Sequence, residues 1–162
     1  MALYGESITF VTFSFIPPAM STEFAEIRET QRALRQRSQW LLSCPDDHVP
    51  DAYLEVIRAT ERMFCLEQEL MESFAFPVRQ LHLEQHARVL QGLHCVHGEV
   101  MRGAADRGRL AGGRLLMDWL HLHRDTLDAS FDIWVDYCRS GLIDPHDPGS
   151  RDPDSPAPLT AH

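Results

Sequence analysis

The sequence predicts an all-α protein: an up-down-up-down four-helix bundle with an N-terminal arm and a disordered C-terminal tail. Apolar residues recur at alternating three- and four-residue spacings through four segments, the pattern of helices that each bury one face. Short stretches rich in Pro, Gly and Asp join those segments, and short connections make neighbouring helices antiparallel. No segment alternates with period two over a useful length, except the arm. A chain of 162 residues suits one domain.

The arm covers residues 1–20. Its residues 8–16 are apolar but too few to span a bilayer, and no basic residue precedes them, so a signal peptide is not expected. The stretch reads as an extended segment packed on the bundle. Met20 is an alternative start, because helix signals follow it directly.

The bundle is expected over 21–140. Ser21-Thr22-Glu23 offers a cap and early acidic charge for a first helix that runs to about residue 42. Its inward stripe is Phe24, Ile27, Leu34 and Leu41. A loop over 44–50 follows, and Pro50 or Asp51 opens a second helix that reaches about residue 73. Its stripe is Val56, Thr60, Met63, Glu67 and Leu70. Phe76-Pro77 breaks that helix and starts a third, over about 77–104, with Val78, His82, His86, Val89, Leu93, Val96 and Val100 inward. Gly103, Gly108, Gly112 and Gly113 mark the next turn. The fourth helix is expected over about 114–138, with Leu116, Leu120, His123, Leu127, Trp134 and Tyr137 inward. Residues 141–162 hold five of the ten prolines and few bulky apolar residues, the composition of a disordered tail.

The formal net charge of −9 argues against a nucleic-acid backbone or an anionic membrane surface as partner. It suits a soluble cytoplasmic protein that handles a metal or a small ligand. The four cysteines, at 44, 65, 95 and 138, have no CxxC spacing and read as reduced thiols.

The informative residues are ionisable groups on stripes that should be Leu or Val: Glu67, His82, His86 and His123. Burying them unpartnered is costly, and bundle cores that contain such groups hold a metal or cofactor. His82 and His86 are four residues apart, so both imidazoles share one helix face and can grip one ion. An HxxxH pair alone is a weak signal. His123 and Glu67 on two further stripes strengthen it, and the competing reading is a hydrogen-bonded network without metal. His94 falls off the stripe, Cys95 and His97 form only a weak candidate pair, and His121 faces away from His123. His48, His146 and His162 fall in the loop or the tail.

Together these residues resemble the hemerythrin family, whose bacterial relatives include the HHE cation-binding proteins. That family carries a His on the first helix, HxxxE on the second, HxxxH on the third and HxxxxD on the fourth. Here the third motif is His82-Leu83-Glu84-Gln85-His86 and the fourth runs from His123 to Asp128. Trp119-Leu120-His121-Leu122-His123 is similar to the family's WLxxH, which sets Trp119 and Leu120 beside the pocket. The second motif reads Met63-Phe64-Cys65-Leu66-Glu67, followed by Met71, and Phe76-Pro77 matches the turn before the third helix. The resemblance covers about residues 24–137. Two positions depart from it: Gln31 and Met63 stand where the family has histidines.

The resemblance implies a metal set of His82, His86, His123, Glu67 and Asp128, and a second half-site degenerate at Gln31 and Met63. It implies iron, one per chain, with a second ion, or zinc or manganese in its place, as alternatives. An open position would take a small ligand such as dioxygen or nitric oxide. The missing histidines argue against ordinary dioxygen carriage, which draws one electron from each of two irons. Two other classes remain: a redox enzyme acting with dioxygen, peroxide or superoxide, and a bundle that binds a protein partner with structural metal or none.

Overall fold

The computed structural model describes residues 18–147. Most of the expected arm, and the tail beyond residue 147, lie outside the described residues. Four antiparallel helices make up the rest, with no strand among the described residues. Helix α1 spans Pro18–Ser43, α2 spans Val49–Ser73 and α3 spans Arg79–Val100. Helix α4 is built of five consecutive stretches: Ala105–Gly108, Arg109–Leu115, Leu116–His123, Arg124–Asp128 and Ala129–Arg139. The second and fourth of these are π-helical. Helix α1 begins three residues before the expected Ser21, with Pro18 at its first position, where a missing N–H costs nothing. Among the described residues, no helix is long and apolar enough to cross a membrane.

The connections are short and specifically tied. After α1 the chain makes a single 3-10 turn, Asp46–His48. Arg109 of α4 donates to the Cys44 carbonyl at 2.7 Å and pairs with Asp46 at 2.7 Å, so one guanidinium closes the end of α1 and pins the turn. Helix α2 ends where Ala75 takes a left-handed φ of +45°, and the Phe76 N–H reaches back to the Met71 carbonyl at 3.0 Å. The Trp134 indole donates to the Phe74 carbonyl at 2.9 Å, which fastens this turn to α4.

Two expectations for the fourth helix need correction. It starts at Ala105, not near residue 114, and only Gly103, at φ +96°, lies in a turn. Gly108, Gly112 and Gly113 lie inside the helix and are buried. A Cβ on Gly112 would stand 2.9 Å from Leu41 and 3.0 Å from Tyr53, and one on Gly113 would stand 2.5 Å from Leu42. These glycines let α4 approach α1 and α2; they do not break the helix. The inward stripe beyond His123 is also different. Phe131 and Val135 are buried, whereas Tyr137 is 46% exposed and Leu127 and Trp134 are only partly covered. The π-turn at Arg124–Asp128 adds one residue to the helix, and every position after it faces one residue later than α periodicity gives. Val78, before α3 begins, is likewise exposed.

The core has two apolar halves. One gathers Leu34, Leu41, Val49, Tyr53, Val56, Leu93, Val100 and Leu116; the other gathers Ile27, Leu70, Met71, Phe74, Phe76, Phe131 and Val135. Along each of α2, α3 and α4 the residues between those halves are polar: Glu67, then His82 and His86, then His123. A layer of ionisable groups therefore divides the core.

Candidate metal centre

Three helices deliver this layer. Glu67 lies on α2, one turn before Leu70. His82 and His86 are one turn apart on α3, and His123 closes the straight stretch of α4 before the π-turn. All four are at most 5% exposed. One ligand atom from each lies within 4.8 Å of those of the other three, an arrangement able to hold a metal ion. The Nε2 atom of His123 is 2.9 Å from that of His82 and 3.1 Å from that of His86. Glu67 Oε2 is 3.3 Å from His86 Nε2. Asp128 joins from one side, its Oδ1 3.1 Å from His123 Nε2 and 3.4 Å from His82 Nε2.

The π-turn explains how the HxxxxD spacing reaches this point. Five residues advance an α-helix well past one turn and would aim Asp128 away from His123. In the wider π-turn, where hydrogen bonds run five residues apart, positions 123 and 128 stack on one face.

Donor chemistry provides a test of fit. The imidazoles turn their Nε2 atoms toward one another, and His123 can share a single proton with only one neighbour at a time. Neither Glu67 oxygen accepts a well-directed hydrogen bond among the described residues, although both are buried. A cation at the shared point would satisfy every one of these atoms. For metal–nitrogen bonds of about 2.1 Å, donors at right angles stand about 3.0 Å apart and donors at the tetrahedral angle about 3.4 Å apart. The separations of 2.9 and 3.1 Å fit right angles. One feature is less complete: the outward Nδ1 atoms of His82 and His86 have no partner among the described residues, where metal-binding imidazoles normally donate to one.

Electrostatics favours a cation over protons. Burial and the neighbouring His123 lower the His82 pKa to about 4, against a smaller opposing pull from Asp128. Burial, His82 and His123 lower that of His86 to about 2. Both imidazoles are neutral at pH 7, with lone pairs available. Glu67 moves the other way: burial and the Asp128 carboxylate raise its pKa well above the usual range, while the adjacent Gln31 amide partly offsets the rise. Asp132 is also raised, by burial and then by Asp128 and Asp136.

Aromatic rings hold the imidazoles in place. His86 lies flat on Phe64, with 3.7 Å between centroids and 2° between planes. Trp119 stacks on His123 at 4.3 Å and meets Phe64 edge-on at 5.8 Å. Leu120 is partly buried one turn before His123 and lines a cavity of about 310 Å³ together with Gln31, Met63 and His121. Gln31 and Met63 thus share one wall. Met63 is fully enclosed, and Gln31 is half-buried beside Glu67.

The remaining histidines stand apart. His94 is exposed and pairs with Glu61 at 3.0 Å, and His97 packs near Tyr53 at 6.3 Å between centroids. All four cysteines are free thiols. Sequence reasoning missed a second cavity of about 590 Å³, whose lining includes Gln31, Glu67, His82 and Asp128 together with Arg28, Arg32, Arg35 and Arg124. Its signal was three arginines at i, i+4 and i+7 on α1, which read as ordinary solvated charge.

No protein-family model, curated protein or solved structure matches the chain.

Proposed function

We propose that the chain is a hemerythrin-like non-haem metal protein with a degenerate, mononuclear centre that binds or senses a small ligand. The observation that carries this reading is the buried convergence of His82, His86 and His123 Nε2 atoms, with Glu67 and Asp128 alongside. The residues are those that the hemerythrin resemblance implies, on the helices it implies. Iron is the proposed metal. Mixed nitrogen and oxygen donors suit it, and the right-angled donor spacing favours iron or manganese over four-coordinate zinc.

The chain's residues have separable tasks. His82, His86 and His123 supply neutral donors, and burial keeps them unprotonated at pH 7. Glu67 and Asp128 supply the negative charge that balances the ion. Phe64 and Trp119 fix two of the rings and keep bulk water from that side. When bound, iron would supply one-electron chemistry and an open position for a ligand such as dioxygen or nitric oxide. Gln31 and Met63 offer an amide carbonyl and a thioether in place of two imidazoles, and both are weak donors for a hard ferrous ion. Met63 fills core space and Gln31 steadies Glu67.

Metal analysis of the full chain, reconstituted anaerobically with ferrous iron, tests this reading. About one firmly held iron per chain is expected. H86A should hold none and H94A should match the parent. A parent value near zero overturns the metal reading; two firmly held irons overturn the mononuclear one.

A further inference from the structure

The cavity of about 590 Å³ beside the centre has a charge pattern that metal binding does not use. Its inner end is formed by Gln31, Glu67, His82 and Asp128. Arg28, Arg32 and Arg35 of α1 and Arg124 of α4 also line it. Apart from Glu67 and Asp128, the only acid lining it is Asp132. In a chain of net charge −9, four of the 15 basic residues converge on this one opening. Arg32 pairs with Glu29. Arg35 and Arg124 form no ion pair among the described residues, although acidic side chains are abundant elsewhere on the surface. Both also line the neighbouring cavity of about 310 Å³, so they stand where the two spaces meet, next to Gln31.

A neutral diatomic molecule gains nothing from a ring of guanidinium groups and needs far less room. Guanidinium forks match carboxylate and phosphate oxygens two at a time, and cavities of roughly 300–1,000 Å³ hold small organic molecules. We infer that this cavity binds a small oxyanion, a carboxylate or phosphate compound held by Arg35 and Arg124 with its far end toward His82 and Asp128. The inference rests on the metal reading in one respect. With the centre empty, Glu67 and Asp128 repel an anion; with a divalent cation in place that repulsion is neutralised. Anion binding should therefore strengthen when metal is loaded.

Calorimetric titration of the metal-loaded full chain with succinate, and separately with inorganic phosphate, tests the assignment, with metal content assayed before and after. Saturable binding of one anion per chain is expected, and whichever probe binds more tightly identifies the class. R35Q combined with R124Q should weaken it about tenfold or more, with metal content and melting temperature unchanged, since both side chains are exposed. R58Q, on a separate exposed face, should leave it unchanged. Equal affinity in the R35Q/R124Q variant, or no saturable binding of either probe, overturns the inference. Should the parent take up no metal, the metal reading fails by itself. The same titration of the metal-free chain then decides this one: arginine-dependent binding keeps the cavity assignment and arginine-independent or absent binding removes it.

Discussion

Glu67 and its imidazole neighbours respond to protons in opposite senses. His82 and His86 have folded pKa values of about 4 and about 2, below the unfolded value of about 6.5. Their contribution to stability is present above pH 6.5 and is lost as pH falls toward the folded values, because the unfolded chain then binds more protons. Glu67 has a raised folded pKa, so its contribution is present below about pH 4.5 and is lost as pH rises. In the metal-free parent the two trends partly cancel between pH 7 and 5. In E67Q only the imidazole trend remains, and melting temperature should drop more steeply over that interval than in the parent. A flat E67Q profile would mean that water reaches the rings. Metal uptake must also displace any proton held by Glu67, so affinity should rise with pH until that carboxyl is ionised.

At the scale of the helix, the π-turn at Arg124–Asp128 decides which side chains of α4 reach the core. It holds one residue more than an α-helix needs. Deleting Thr126, an exposed residue within it, should restore α geometry while the aspartate and Phe131 keep their faces. The deleted chain should stay folded and keep its metal. Deleting Ser130, just beyond the turn, forces a choice: either the packing of Phe131 and Val135 is lost, or the π-turn collapses and Asp128 swings off His123. Metal retention in the Ser130 deletion equal to that in the Thr126 deletion would refute this account. The same turn marks where the sequence stopped being legible. The stripes of α1 and α2, with Ile27, Leu34, Leu41, Val56, Thr60, Met63, Glu67 and Leu70, follow from spacing alone, because those helices are regular. Spacing also put His82, His86 and His123 inward. It could not foresee Phe131 and Val135 in place of Tyr137, since a surplus residue leaves no mark in composition. The buried glycines of α4 misled for another reason: Gly signals a turn or a close approach with the same letter, and only the neighbours Leu41, Leu42 and Tyr53 distinguish them. The aspartate spacing entered through family resemblance, not through periodicity, and the arginine cavity depends on α1 and α4 meeting across the bundle.

For the whole molecule, the centre acts as a cross-link. Glu67, the His82–His86 pair and the His123–Asp128 pair come from three different helices and join the two halves of an otherwise divided apolar core. An ion bound only by the folded state stabilises it by mass action, about 3 kcal/mol when its free concentration is roughly a hundredfold above Kd. The second half-site should be recoverable. Q31H combined with M63H puts imidazoles on the wall that these two residues already share, and it should raise iron content from about one toward about two per chain. An unchanged iron content in a folded double variant would show that this wall lies too far from the shared carboxylates. The two π stretches of α4 bracket Leu116–His123, the segment that bears Trp119 and His123. A surplus residue handed along such a helix by one position turns the intervening segment by about 100° while both ends stay anchored. Helix α4 thus has a screw-like degree of freedom that the uniform helices α1, α2 and α3 lack, and the imidazole of His123 rides on it.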